Sequence, residues 1–98
     1  MGDAAQPFET ALLFALDDLA GDNFRRFKQQ LGVVRVEEGR ARIPRGRLER
    51  ADTLDAARLL LEAYGEEGAL DVAVRALRGA NLRDSASALL QWRRGEQR

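Results

Sequence analysis

Glycine stands at or just beyond the end of successive apolar stripes in this chain, at Gly21, Gly32, Gly65 and Gly79. Glycine reaches backbone conformations that other residues avoid, so it marks places where a helix stops or turns. Between these stops the apolar residues recur three and four apart, the spacing of one buried helix face. The chain is therefore cut into short amphipathic helices. Phe8, Leu12, Ala15, Leu16 and Leu19 predict a first helix over about 7–19, with Pro7 suited to its first turn and Gly21 to its end. Asp22 suits the N-cap of a second, whose buried stripe is Phe24, Phe27 and Leu31 and whose Arg25, Arg26 and Lys28 project between them. Gly32 ends it. Residues 33–43 have no helical period and contain Gly39, which reads as a long loop, with a short strand at Val33 to Val36 as the alternative.

Pro44 can open a short third helix through Leu48. Asp52 or Thr53 then caps a fourth, with Ala57, Leu60, Leu61 and Tyr64 facing inward. Beyond Gly65, Glu66 and Glu67 sit where a helix N-terminus favours negative charge, and Leu70, Ala73, Val74 and Leu77 carry a fifth helix to Gly79. Asn81 and Asp84 resemble a capping arrangement before a sixth helix with Leu82, Ala86, Leu89 and Leu90. The expected architecture is all-α: a six-helix antiparallel bundle with a short third helix and a long connection before it. It forms one domain over residues 1–98, with a helical core at about 7–93 and a tail or the start of a linker at 94–98.

Composition removes whole classes of function. With no Cys and no His there are no disulfides, thiolates, zinc sites or imidazole catalysis. Lys28 is the one lysine. The carboxylate pairs Asp17/Asp18 and Glu66/Glu67 are adjacent in sequence, so they do not face each other on a helix, and no phosphate loop or nucleophile motif accompanies them. The expectation is no enzyme and no cofactor. Asp17, Asp18, Arg58 and Glu62 interrupt every Leu-rich run, and the start of the chain lacks a basic, apolar leader, so a cytosolic address is expected.

Net charge is zero from 16 basic and 16 acidic residues, but the signs are segregated. Every charge up to Asp22 is acidic; Arg25 to Arg50 is mostly basic; Asp52 to Asp71 is acidic again apart from Arg58; the end is basic. Such blocks on so small a chain imply a two-faced surface. A nucleic-acid binder using the Arg40–Arg50 stretch is the rival of another class, disfavoured by the zero net charge and the flanking acidic blocks.

The run Leu12, Leu13, Leu16, Leu19, Phe24, Arg25, Arg26, Phe27, Lys28, Leu31, followed after the loop by Arg42-Ile43-Pro44-Arg45-Gly46, resembles the pyrin-domain family. Leu48 to Asp55, Tyr64-Gly65-Glu66-Glu67 and Asn81-Leu82-Arg83-Asp84 extend the likeness over about Phe8 to Trp92, in the manner of pyrin domains that begin NOD-like receptors. The resemblance implies a six-helix Greek-key death fold and homotypic assembly into filaments that recruit the pyrin domain of the inflammasome adaptor. It implies no nucleic-acid, membrane or small-molecule partner. A freestanding pyrin-only regulator competing for the same contacts is the alternative. In the family, acidic residues of helices one and four meet basic residues of helices two and three. Carried over, the acidic side is Asp17 and Asp52 with Asp55 beside them, and the basic side is Arg25 and Arg45 with Arg26 and Lys28 adjacent. Gln30 stands where the family commonly has Lys. Each residue also has a plainer reading: Asp52 as a cap alone, Phe24 and Phe27 as core, Arg25, Arg26 and Lys28 as solvated face. Phe14 lies off the first stripe and reads either as an exposed anchor or as covered by a neighbouring segment; Trp92 reads as packed against helix one or five, with a binding anchor as the alternative.

Overall fold

In the computed structural model, which describes residues 6–19, 21–34 and 43–96, every element among the described residues is helical. Helix α1, Gln6–Asp17, buries Phe8, Leu12 and Leu16 completely, one residue per turn on a single face. It stops two residues before the predicted end: Asp18 N–H still bonds Phe14 O at 3.0 Å, but Leu19 N–H tightens to a bond with Leu16 O at 3.1 Å. Gly21, expected to close this helix, instead opens α2, Gly21–Leu31, and Asp22 lies within the first turn of α2 rather than capping it. Its carboxylate still suits the positive end of the helix. The chain leaves α2 in a turn, with Val33 and Val34 N–H groups both donating to Gln30 O. Residues 35–42, most of the expected loop and half of the alternative strand, lie outside the described residues, as do 1–5 and the last two residues of the tail.

Helix α3, Arg45–Arg50, starts at Pro44, whose φ of −58° is fixed by its ring. Helix α4, Thr53–Gly79, contains one break: Gly65 has φ 73° and ψ −179°, a conformation open to glycine and hardly to anything else. The rods 53–64 and 66–79 meet there, so the six expected helical stretches are all present, counting α5, Arg83–Glu96. At the end of α4, Asn81 takes φ 64°, its N–H bonds Arg78 O, and Leu82 N–H reaches back to Leu77 O at 2.8 Å. This is a left-handed helix stop, in which Asn is the best substitute for glycine. Asn81 thus terminates α4, a correction to its expected place as a cap for the following helix.

The second rod of α4 is the centre of the bundle. Ala69, Leu70, Val72, Ala73, Val74, Ala76 and Leu77 are all buried, the alanines letting α1, α2 and α5 approach closely. Phe27, Leu16, Leu60 and Leu77 share this core as expected. Phe24 does not join them fully: it is half-buried, its ring stacked 6.3 Å from that of Phe27 on the side toward α3. A helix of six residues with one buried side chain, Leu48, is too short to cover it. Trp92 packs on α1, its ring 5.7 Å from that of Phe8.

Candidate interaction surface

Three carboxylates gather where α1 ends and α4 begins. Asp52 caps α4, its Oδ1 accepting the Asp55 N–H at 2.8 Å. Thr53, the first residue of α4, donates its hydroxyl to Asp17 Oδ1 and so ties the last residue of α1 to the same place. Asp17, Asp52 and Asp55 are all exposed, and none forms an ion pair among the described residues. The positive end of α4 stabilises this concentration of negative charge. Sequence reasoning offered Thr53 only as an alternative cap of α4; the structure gives the cap to Asp52 and Thr53 the bond to Asp17, for which its position directly after the cap, able to reach a neighbouring helix end, was the available signal.

The basic residues divide into two groups. A cleft of about 760 Å³ lies between α2 and α3, lined among others by Phe24, Arg25, Lys28, Val33, Arg45 and Leu48. Arg25 and Arg45 are exposed at it and make no hydrogen bond or ion pair among the described residues. Lys28 is half-buried and engaged: Nζ donates to Glu49 O at 3.1 Å and to Ala51 O at 2.9 Å, and lies 4.9 Å from the centre of the Phe24 ring. Arg26 turns away from the cleft toward the end of α4, where Nη2 donates to Ala80 O at 2.5 Å and Nη1 to Asn23 Oδ1 at 3.4 Å. Gln30 also faces that end, its side chain folded over Gly79. Of the four predicted cations, the structure brings Arg25, Lys28 and Arg45 together and sends Arg26 elsewhere. The remaining exposed cations of α3, Arg47 and Arg50, share a shallow depression with Asp55, Arg58 and Glu62, so the Arg-rich stretch has acidic neighbours. Arg40 and Arg42 lie outside the described residues.

Other surface features are simpler. Phe14 is 66% exposed beside a groove between α1 and α5 that includes Ala11, Ala15, Leu89 and Trp92. Of the carboxylate pairs, Glu67 forms an ion pair with Arg93, and Asp17 and Asp18 are exposed. Among the described residues no group of carboxylates could hold a metal ion, and no buried side-chain nitrogen or oxygen lacks a partner.

The model of the PAAD/DAPIN/Pyrin domain family matches residues 11–87, spanning all the helices that build both faces. The chain belongs to the pyrin-domain family. Its pyrin fold superposes on the solution structure of the pyrin domain of human Pyrin with a TM-score of 0.81, at 34% identity, covering 86% of this chain and 93% of that one. This pyrin domain is 48% identical over 82 residues to human NACHT, LRR and PYD domains-containing protein 6, covering 84% of the chain but 9% of that protein. It is 38% identical over 79 residues to mouse apoptosis-associated speck-like protein containing a CARD, covering 81% of the chain and 41% of that protein. The chain thus spans less than half the length of these two relatives. As a pyrin domain it is a protein-interaction module of the death fold, the class that engages other domains of its own kind.

Proposed function

We propose that this pyrin domain assembles head to tail, the acidic corner of one copy (Asp17, Asp52, Asp55) meeting Arg25 and Arg45 at the cleft of the next. One observation supports the proposal: exposed carboxylates where α1 ends and α4 begins, and exposed guanidinium groups at the α2–α3 cleft, form no ion pairs among the described residues. A contact between two different patches is heterologous, and one that does not close into a ring propagates as a helical filament. Arg suits the role because its planar fork holds a carboxylate through two parallel hydrogen bonds. The same faces would receive the pyrin domain of the inflammasome adaptor, placing the domain in cytoplasmic innate immune signalling. The similarity to a NACHT- and LRR-containing protein favours the sensor side of that encounter over a freestanding regulator.

Light scattering over a wide concentration range, with electron microscopy of the product, tests the geometry. Filaments whose length grows with concentration are expected. Closed two-fold dimers at every concentration would refute the two-faced contact. Measuring retention on immobilised duplex DNA under the same conditions separates assembly from polyanion binding: filaments without retention are expected, whereas retention without filaments would transfer the function to the Arg-rich stretch.

A further inference from the structure

Helix α3 is six residues long, far below the roughly 12–15 at which an isolated helix is even marginal, so its orientation depends on what holds it. Its ties are few. Leu48 is its buried side chain, and Pro44 at its start forms no side-chain cap. At its other end, Glu49 O and Ala51 O both accept from Lys28 Nζ of α2. A cation is favoured at the negative end of a helix, and the Phe24 ring covers a further side of this ammonium. The one lysine of the chain is therefore the polar latch between α2 and α3.

The same short rod begins with Arg45, whose guanidinium lies alongside Gly32 at the end of α2. Residues 45–50 span only about 9 Å at the usual helical rise, so freeing one end moves the other. Arg25, in contrast, sits on α2 itself, which packs on α4 through Phe27 and Leu31 without help from α3. The two exposed cations of the cleft thus depend differently on Lys28.

We propose that Lys28 is a positioning residue for assembly: by docking α3 it aims Arg45 at the acidic corner of the next copy, without contacting that copy itself. The inference rests on the head-to-tail contact proposed above. The test uses the whole chain and measures the shift in critical concentration for assembly caused by Arg45→Glu and by Arg25→Glu, each in the wild type and in Lys28→Met. Amide exchange at residues 47–51 is read on the dilute monomer. Lys28→Met is expected to raise exchange in α3 on the order of tenfold, since these amides report local opening. In that background Arg45→Glu should lose most of its shift while Arg25→Glu keeps its own. Lys28→Arg, which retains charge and donors, should restore both the exchange protection and the Arg45→Glu shift.

If Lys28→Met fails to fold, Lys28→Gln, which keeps one donor, takes its place with the same expectations in weaker form. An Arg45→Glu shift equally large in both backgrounds would overturn the positioning role while leaving the contact intact. Equal loss of both shifts would make Lys28 a contact charge and overturn it too. A lowered melting temperature with an unchanged threshold would leave Lys28 structural alone. Absence of any Arg45→Glu shift in the wild type would remove the contact itself, and with it the role of Lys28 in aiming at it.

Discussion

Asp52 is placed to do two things, and the structure shows how to separate them. Its Oδ1 receives the Asp55 N–H at 2.8 Å, and its charge is exposed beside Asp17 and Asp55. Asn offers the same carbonyl oxygen at the same distance along the side chain and ranks with Asp as an N-cap, whereas Ala offers none. Asp52→Ala is therefore expected to destabilise the monomer by about 1 kcal/mol. Asp52→Asn should lose only the charge–dipole part, about 0.3–1 kcal/mol at low salt and less when screened. For assembly the two variants should behave alike, because both remove the carboxylate. An exposed ion pair is worth at most about 1 kcal/mol, which raises the critical concentration roughly fivefold on a scale where 1.4 kcal/mol is tenfold. Urea unfolding of the dilute monomer gives the first quantity and sedimentation of assembled protein the second. An Asn variant that assembles at the wild-type threshold would make Asp52 a cap and nothing more. An Asn variant as unstable as the Ala variant would refute the cap.

Phe27 is completely buried among residues of α2 and α4, so Phe27→Ala should cost about 3–5 kcal/mol in urea unfolding, a large share of a small domain's stability. Gly65→Ala should cost about 1–3 kcal/mol through backbone strain alone, since a Cβ there would touch nothing. Gly46→Ala, in a helix with equally open space and no positive φ, should instead stabilise the monomer by roughly 0.4–1 kcal/mol in the same assay. Raising salt above about 0.15 M should lift the assembly threshold of the wild type, because screening already limits exposed charges to about 8 Å there. A threshold that falls with salt would point to an apolar contact.

The helical architecture was legible because glycine and apolar spacing are local signals, and Gly65 broke the fourth stripe where the sequence placed the break. Signals that fit either side of a junction were not decisive. Gly21 suited both an end and a start, and Asn81 suited both a cap and a left-handed stop; hydrogen bonding across Leu77 to Leu82 decided the second. Phe24 and Phe27 share one stripe, yet only Phe27 is fully buried, since the short α3 leaves Phe24 half-exposed at the cleft. Charge segregation was visible in the sequence, but which charges were already engaged was not. Arg26 and Lys28 donate to backbone carbonyls 54 and 23 residues away, at the ends of α4 and α3, a distinction from Arg25 that no local pattern encodes.

The head-to-tail contact is tested most directly by the critical concentration of four proteins: wild type, Asp52→Arg, Arg45→Glu and the double variant, with folding verified for each by circular dichroism. Both positions are exposed, and losing the Asp52 cap costs about 1 kcal/mol, a minor share of a small domain's stability, so each monomer should remain folded. Either single reversal sets like charges against each other at every junction and should raise the critical concentration well above that of the wild type, whereas the double variant restores an opposite pair and should lower it again in part. Single variants that assemble like the wild type, or a double variant no better than the singles, would contradict the contact and leave these charges as solvated surface.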